Sequence, residues 1–409
     1  MKTINLAVRE LVEFVMMSGD LVLDKFSARG NLITGQKIHQ RLQAQRPENY
    51  QTEVAISDIF TRDNLQIRLN GRIDGIFQQP AGIILEEIKS ITSENHRKGN
   101  LDHPRHWAQA KVYAYLYMKA KDLNIIRIRL TYYFVESGTT ESQEKEFGFR
   151  ELEEFTTDLI DQYSTWLLRY EDYHLHRDRS LQQSRFPYQD YRQGQEQICT
   201  AVAKAIRESR DVFLQAPTGL GKTMAVIYPA VLSLTELESG KIFYLTARST
   251  AQENAEYALK KIIAAGAGIK FLVISAREKV CFQEECRCNP DDCEYAAGFF
   301  DKLPAALWEL YKHNIFDRKR IDEISIRHKI CPFEYSLEIS LWVDCIICDY
   351  NYVFDPRVRL KRFFMNERQK GDFILLVDEA HNLVDRSRDM FSASLNKKDF
   401  LKIRRLVRG

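Results

Sequence analysis

DVFLQAPTGLGKT, residues 211–223, decides how the second half of the chain folds. The apolar run 212–214 leads into a loop with two glycines, and a helix-forming stretch follows from Lys222. Strand, glycine-rich loop and helix is the setting a phosphate cradle requires. Across Ala216, Pro217, Thr218, Gly219, Leu220, Gly221, Lys222 and Thr223, the glycines let backbone N–H groups turn inward onto phosphate oxygens. Lys222 is placed to reach the β- and γ-phosphates of a nucleotide, and Thr223 to offer a hydroxyl to Mg²⁺. Taken alone, this stretch also reads as a chance glycine-rich turn.

Four more short apolar runs lie downstream: KIFYLTA (241–247), IKFLVIS (269–275), DCIICDY (344–350) and DFILLVD (372–378). Each is followed by a loop or a helix-period segment. With 211–217 they predict parallel strands of a doubly wound α/β sheet. The last run ends in Asp378-Glu379-Ala380-His381. A carboxylate at the C-terminal end of a strand can hold Mg²⁺ through water, and Glu379 beside it can orient or deprotonate an attacking water. A buried strand with an exposed acidic end is the plainer alternative, and the upstream phosphate loop weighs against it.

These segments strongly resemble the XPD/DinG-like iron–sulfur helicases of superfamily 2. The resemblance rests on FPYQDYRQGQ (186–195), APTGLGKT (216–223), LTARSTAQ (245–252), CDYNYVFDP (348–356) and VDEAH (377–381), in that order. It covers about residues 186–390, and Ala216 in place of the usual first glycine is a variant common among helicases. The resemblance implies ATP and Mg²⁺ as cofactors, adenine contacts at Gln195 with Arg192, and contacts to single-stranded DNA at Thr246 and Arg248. It also implies movement on DNA from 5′ to 3′, which no residue states by itself.

Eight cysteines are unevenly placed: none precedes Cys199, and seven fall from Cys281 to Cys348. In a reducing compartment such clustering points to ligation rather than disulfides. The run REKVCFQEECRCNPDDCEYAAGFFD (277–301), followed by RHKICPFEY (327–335), offers soft thiolates suited to zinc or to an iron–sulfur cluster. The spacing lacks the two short pairs usual for zinc. The family carries a four-cysteine iron–sulfur insert at this point, which implies a 4Fe–4S cluster on Cys281, Cys288, Cys293 and Cys331. Cys286 is a fifth candidate. Cys345, Cys348 and Cys199 read as small buried hydrophobes.

The N-terminal stretch is built differently. Residues 4–18 have helical spacing. QTEVAIS (51–57), LQIRL (65–69), GRIDGIF (71–77) and GIILEEIKS (82–90) read as strands separated by turns. Residues 105–120 and 150–173 read as helices, with a strand at 125–134 between them. Side chains alternate along a strand, so Glu87 and Lys89 share a face and Glu86 points away. Asp74 on the preceding strand can join them. Two carboxylates suit Mg²⁺ or Mn²⁺, and a lysine beside them can position or activate water. Gln109 and Tyr113 share a helix face, and His39 can add an imidazole. Each residue alone is commonplace on a solvated hairpin. The set resembles RecB-type nucleases of the PD-(D/E)xK fold over about residues 5–135, through Gly35 with His39, then Asp74, then Glu87 with Lys89, then Gln109 with Tyr113.

The expected architecture is therefore an α/β chain in which a PD-(D/E)xK nuclease domain precedes an incomplete RecA-like P-loop motor domain interrupted by a four-cysteine iron–sulfur insert. The expected boundaries are 1–176 for the nuclease-like domain, 177–185 for a polar linker, 186–275 for the first part of the motor, 276–335 for the insert and 336–409 for the rest of the motor. The chain's 409 residues suit two or three domains, and its 28% charged content is ordinary for a globular protein. A net charge of +2 excludes a polycation, so any nucleic-acid surface must be a local patch. No apolar run of about 18 residues and no signal peptide are present, so a cytoplasmic protein is expected.

The resemblance implies an ATP-dependent DNA helicase coupled to a metal-dependent nuclease in DNA repair or replication, acting on single-stranded or forked DNA. The family's second motor domain has no counterpart in residues 1–409. The expectation is a fragment, or a subunit with a second polypeptide as partner, whose motor is inactive alone. Two other readings are a nuclease whose ATPase half is a DNA-binding scaffold, and a non-catalytic regulator that uses the cluster as a redox switch.

Overall fold

A computed structural model describes residues 2–22, 30–80, 82–91, 103–217, 219–237, 240–364, 373–393 and 396–408. The chain divides into two compact units, Met1–Tyr173 and His174–Gly409.

The first unit is built around one long strand. Its elements are β1 (Lys2–Ala7), α1 (Val8–Val15), α2 (Gly30–Gln43), β2 (Tyr50–Arg62), β3 (Leu65–Gln79), β4 (Gly82–Ile91), α3 (Pro104–Lys121), β5 (Ile125–Phe134), β6 (Thr139–Gly148) and the start of α4 (Phe149–Gln182). One edge of β3 is taken by β2, antiparallel along almost its whole length. The other edge is shared: β1 runs parallel to residues 65–70, and β4 runs antiparallel to residues 75–79. β4 then pairs parallel with β5, and β5 antiparallel with β6. Ile67, Leu69 and Ile73 of β3 pack against Val8 and Leu11 of α1 and against Ala110, Val112 and Met118 of α3, all with no more than trace exposure.

Two expectations change here. Residues 4–18 are not one helix, because Lys2–Ala7 forms β1. Ile4 and Leu6 fit a strand as well as they fit a helix, and the free edge of β3 decides between them. Nor does β3 break at Asn70-Gly71. Gly71 is there because a Cβ at that position would lie 2.4 Å from Tyr113 Cε1. Likewise a Cβ on Gly75 would lie 1.8 Å from the Tyr50 hydroxyl. The two glycines mark places where tyrosine rings cross the strand.

In the second unit the elements are α5 (Gln195–Arg207), α6 (Lys222–Leu232), β7 (Lys241–Leu245), α7 (Ser249–Ala264), β8 (Phe271–Val273), α8 (Arg277–Val280), α9 (Phe299–Leu307), β9 (Ile315–Phe316), α10 (Arg318–His328), α11 (Pro332–Ile339), β10 (Cys345–Cys348) and β11 (Phe373–Val377), followed by helices Leu383–Phe391 and Lys397–Arg408. The sheet order is β11-β7-β10-β8-β9, with every pair parallel. Ile242, Tyr244, Phe271 and Ile347 pack beneath Met224 and Ile227 of α6 and Leu259 and Ile262 of α7. Four of the five expected strands thus form. The fifth, at 211–217, makes no ladder. β7, β10 and β8 are flanked on both sides, and β11 takes a described partner only in β7. With no ladder to hold it, the run stays exposed, and Phe213 is 93% accessible. β9 was not foreseen either. It adds an edge strand from within the span expected to be the insert.

Residues 174–182 continue α4 rather than forming a loose linker. Arg177, 3% exposed, donates to Asp344 Oδ1 at 2.7 Å, and Asp344 Oδ2 accepts the backbone N–H of Lys270 at 2.7 Å. Leu181, one turn on, is buried in the same core as α6. Nearby, Lys241 is buried against the carbonyls of Leu341 and Val343, and burial pulls its ammonium down to about 8.

Candidate functional site

In the first unit the chemistry gathers at a fork. The β3–β4 ladder runs only as far as the Gly75–Glu86 pair. Beyond it the strands part, so backbone groups of β4 lose their β3 partners. Asp74 fills the gap: its Oδ2 accepts the Ile88 N–H at 2.7 Å, and its Oδ1 lies 3.3 Å from His39 Nδ1 on α2. Glu87 and Lys89 point to this side of β4, and Glu86 points to the other. Lys89 Nζ donates to Glu87 Oε1 and to Gln109 Oε1, both at 2.8 Å, and Gln109 Nε2 donates to the Tyr113 hydroxyl at 3.3 Å. All six residues singled out by sequence therefore converge. Glu86 is fully buried in a separate network, accepting from Arg46, Tyr50 and Thr131.

The fork is electrostatically incomplete. Glu87 is 3% exposed, and its Oε2 has no hydrogen-bond partner among the described residues. Burial raises its carboxyl to about 7, with the Asp74 charge adding to the shift and Lys89 and His39 opposing it. Burial also disfavours the His39 cation, but the hydrogen bond and charge of Asp74 outweigh it, so that imidazole sits above its ordinary range. An orphaned, desolvated carboxylate oxygen beside a second carboxylate is the donor set a hard divalent cation fits.

In the second unit the loop before α6 is held from behind. Gly219 and Gly221 adopt φ of +83° and +85°. Arg192 Nη1 donates to the Gly219 carbonyl, Gln195 Nε2 donates to Gly221 O at 3.1 Å, and Gln195 Oε1 accepts the Arg192 N–H at 3.0 Å. A Cβ on Gly221 would lie 2.5 Å from Gln195 Nε2. The two residues expected to touch adenine thus brace the phosphate loop. Lys222 Nζ donates to Ala216 O at 2.9 Å. Thr218 lies outside the described residues. The N-terminus of α6 opens onto the loop, as anion binding requires.

β11 delivers Asp378 beside this loop, with Asp378 N donating to Leu245 O at 2.9 Å. Glu379 sits in the left-handed region at φ +49°, its carbonyl taking the Tyr350 hydroxyl at 3.3 Å and Asn382 Nδ2 at 3.0 Å. Strained backbone of this kind persists only where its surroundings hold it. Two tyrosines here escaped sequence reading. Tyr350 is fully buried and also donates to the Asp378 carbonyl. Tyr244 of β7 is buried near Thr223 and Asp378, and burial first and the Asp378 charge second hold its phenol well above the usual range. That convergence of Thr223 and Asp378 is what a Mg²⁺·nucleotide site asks of the protein. Of the two expected DNA contacts, Arg248 is exposed, whereas Thr246 is 2% exposed and its hydroxyl accepts the Arg248 N–H at 3.3 Å. Thr246 shapes the turn and does not face solvent.

The cysteines separate as their chemistry suggests. Cys199, Cys345 and Cys348 are buried, whereas Cys281, Cys288, Cys293 and Cys331 are partly exposed and Cys286 is exposed. Burial raises the Cys288 thiol, Arg277 opposes that shift, and the neighbouring Cys281, Cys293 and Glu334 reinforce it. Cys331 in turn feels Cys288 and stands at the N-cap of α11. Cys286 lies beside Cys281 and is exposed. Among the described residues no group of three His, Cys, Asp or Glu side chains, at the fork or among the cysteines, is arranged to hold a metal ion. A four-iron cube spreads its thiolates over four corners, farther apart than ligands on one zinc. Partly exposed soft thiolates are the ligand type such a cluster takes.

Residues 8–210 match the PD-(D/E)XK nuclease superfamily, residues 192–287 the DEAD/DEAH box helicase family and residues 249–400 the DEAD_2 family. Each match covers less than half of the chain, so its parts are similar to a nuclease superfamily and then to DEAD/DEAH box helicases. Among curated proteins it is similar to the regulator of telomere elongation helicase 1 homolog of Culex quinquefasciatus, 20% identical over 279 residues, covering 52% of this chain and 28% of that one. It also resembles the Fanconi anemia group J protein homolog of Gallus gallus, 33% identical over 88 residues, covering 21% of this chain and 7% of that one. A solved XPD helicase aligns with a TM-score of 0.35 at 23% identity, covering 50% of this chain and 35% of the other. The chain spans 28% or less of the length of these curated relatives. No helix among the described residues is long and apolar enough to cross a membrane.

Proposed function

We propose that this chain couples two reactions on DNA phosphates: metal-dependent phosphodiester cleavage at the fork of the first unit, and ATP hydrolysis at the phosphate loop of the second. The observation that carries the reading is that each unit gathers its own hydrolytic set from distant parts of the sequence. Asp74 and Glu87 would hold Mg²⁺ or Mn²⁺ with His39 in reach, and Lys89, oriented by Gln109, would position the attacking water. Bound metal supplies Lewis acidity there. Thr223 and Asp378 would hold Mg²⁺ with ATP, Lys222 would turn from Ala216 O to the phosphates, and Glu379 would orient water. Arg248 is the DNA contact the surface offers. Cys281, Cys288, Cys293 and Cys331 would hold a 4Fe–4S cluster that staples the segment between α8 and α11. A DNA helicase is the activity this set supports; movement from 5′ to 3′ on single-stranded or forked DNA, in repair, is what the family resemblance implies.

The test is cleavage of labelled single-stranded and flapped DNA with Mn²⁺, beside DNA-stimulated ATP hydrolysis, on the same preparation. Metal-dependent cutting together with DNA-stimulated hydrolysis is the expected outcome. Cutting without any nucleotide binding would favour a nuclease with a scaffold in place of a motor, a reading to which the unpaired run at 211–217 lends weight.

The fork also has a pH signature. Glu87 titrates near about 7 in the fold against 4.5 for the free side chain. A raised carboxyl contributes stability that is complete below the unfolded pKa and is lost as pH rises through the folded one. The metal-free first unit is therefore expected to lose stability between about pH 4.5 and pH 7. Mn²⁺ should restore it, since binding to the native state alone stabilises. The thermal shift on adding Mn²⁺ should be larger at about pH 8 than at about pH 6, and the difference should vanish in Glu87→Gln. Equal shifts at both pH values in the unaltered protein would rule out Glu87 as the ligand.

A further inference from the structure

β2 and β3 pair residue by residue, from Tyr50 opposite Phe77 to Arg62 opposite Leu65, with one lapse. Thr52 pairs with Gly75 and Val54 with Ile73, but Glu53 and Asp74 between them do not pair. Glu53 lies in the left-handed region at φ +54°. A residue with a side chain keeps that conformation in a strand only where its surroundings hold it. Here α2 does so. Gln43 Nε2, on the last residue of α2, donates to Glu53 Oε1 and to the Asp74 carbonyl, both at 3.0 Å. A primary amide has two N–H donors, so one group serves both acceptors. Gln43 is 8% exposed and follows His39 by four residues, on the same face of α2. One helix face therefore reaches Asp74 twice, with His39 at the side chain and Gln43 at the backbone.

We propose that Gln43 is a positioning residue that sets Asp74 for the cation at the fork, with Glu53 as its anchor. The inference rests on the reading of the fork as a metal site. Among the described residues Asp74 pairs with neither neighbouring strand: the β2 ladder lapses at Glu53, and the β4 ladder ends at Gly75. A backbone without strand partners is free to shift, and a shift of about 1 Å in a reacting group can cost about a hundredfold in rate. Gln43 supplies from a side chain the hold that a strand neighbour would give. The Glu53 carboxylate fixes the Gln43 amide, and the amide fixes the Asp74 carbonyl. Asp74 Oδ2 then holds the Ile88 N–H at 2.7 Å, so the strand that carries Glu87 and Lys89 is set with it.

The experiment follows hydrogen exchange in the full chain without metal, comparing the peptide of residues 85–91, which carries the Ile88 N–H, with a peptide from β5. Gln43→Met keeps the side-chain length and removes both donors. It is expected to speed exchange in the β4 peptide about tenfold and to leave the β5 peptide unchanged, since a hydrogen bond to a charged group is worth about that factor. The Mn²⁺ needed for a half-maximal thermal shift should rise about tenfold as well. Unchanged exchange would overturn the proposal, and so would equal acceleration of both peptides, which reports a general loosening of the unit. Faster exchange with an unchanged Mn²⁺ requirement would overturn it too, because Gln43 would then brace the strand and not the metal site. Should Gln43→Met fail to fold, Glu53→Gly takes its place: glycine accepts the left-handed backbone without strain, and only the anchor is lost. It should speed the β4 peptide alone, whereas Glu53→Gln, which keeps an acceptor oxygen, should exchange like the unaltered protein. Glu53→Gly with unchanged exchange would count equally against the link. Absence of a Mn²⁺ shift in the unaltered protein, or a shift indifferent to Asp74→Ala, would instead overturn the metal reading.

Discussion

Asp74→Ala should reduce metal-dependent DNA cleavage to below about one-thousandth of the unaltered protein, because losing the cation's electrostatic stabilisation removes several kcal/mol and each 1.4 kcal/mol is tenfold. Asp74 does two jobs at the fork. It occupies the opening between β3 and β4 through the Ile88 N–H, and it presents its other oxygen toward His39. Removing it leaves Glu87 as the remaining carboxylate, buried and with an orphaned oxygen. Glu87→Gln and Lys89→Ala should lose cleavage comparably. Nucleotide binding belongs to the second unit and should survive in all three. Glu86→Gln makes the contrast: it alters the network with Arg46, Tyr50 and Thr131 on the opposite face, so it should lower the melting temperature whether or not metal is present. Cutting at the unaltered rate by all three fork variants would show that cleavage, if present, is done elsewhere.

Cys288→Ser should empty the proposed cluster site. Protein purified without air should carry about four irons per chain and absorb broadly in the visible, as four-thiolate clusters do. Cys288 neighbours Cys281, Cys293 and Cys331, so its loss removes the thiolate closest to the middle of the set. Iron should fall to below about one per chain, and the segment from Cys281 to Cys331 should become sensitive to protease. Cys281→Ser and Cys331→Ser should behave alike. Cys345→Ser lies in a β10 position with 2% exposure and should leave iron unchanged. Cys286→Ser separates the two closely spaced thiols: retention of iron assigns the ligand to Cys288. Stoichiometric zinc with no iron in the unaltered protein would remove the cluster from the description.

Much of this arrangement was legible in the sequence because it depends on period and spacing. Alternation alone put Glu87 and Lys89 on one face and Glu86 on the other. The apolar runs at 241–247, 269–275, 344–350 and 372–378 became β7, β8, β10 and β11, and β7 and β10 are buried throughout, as a parallel strand covered on both faces requires. What stayed hidden depends on partners. The stretch HLHRDRSLQQSR lacks an apolar stripe, yet it opens as helix. The position that would carry the stripe is Arg177, whose burial is made tolerable by Asp344 and Asp178 rather than by hydrocarbon. The run at 212–214 has the composition of a strand, but composition does not supply a neighbouring edge. Gly71 looked like a turn because glycine serves both turns and close approaches, and only the ring of Tyr113 tells the two apart. Tyr244 had a visible signal, a hydroxyl inside an otherwise apolar run, with nothing to say which residues it would meet.

The ion pair at the end of α4 also dictates where the chain can be cut for biochemical work. The polar stretch before Phe186 invites a start there for an isolated second unit. Such a piece would delete the guanidinium that pairs with the buried Asp344 carboxylate, and removing one partner of a buried ion pair costs about 3–5 kcal/mol. Leu181 would go with it, opening the packing beneath α6. A piece begun at His174 keeps both residues. The tail of α4 is thus an integral part of the second unit's fold, and a truncation series stepped through residues 174–186 should find solubility lost between those retaining Arg177 and those without it.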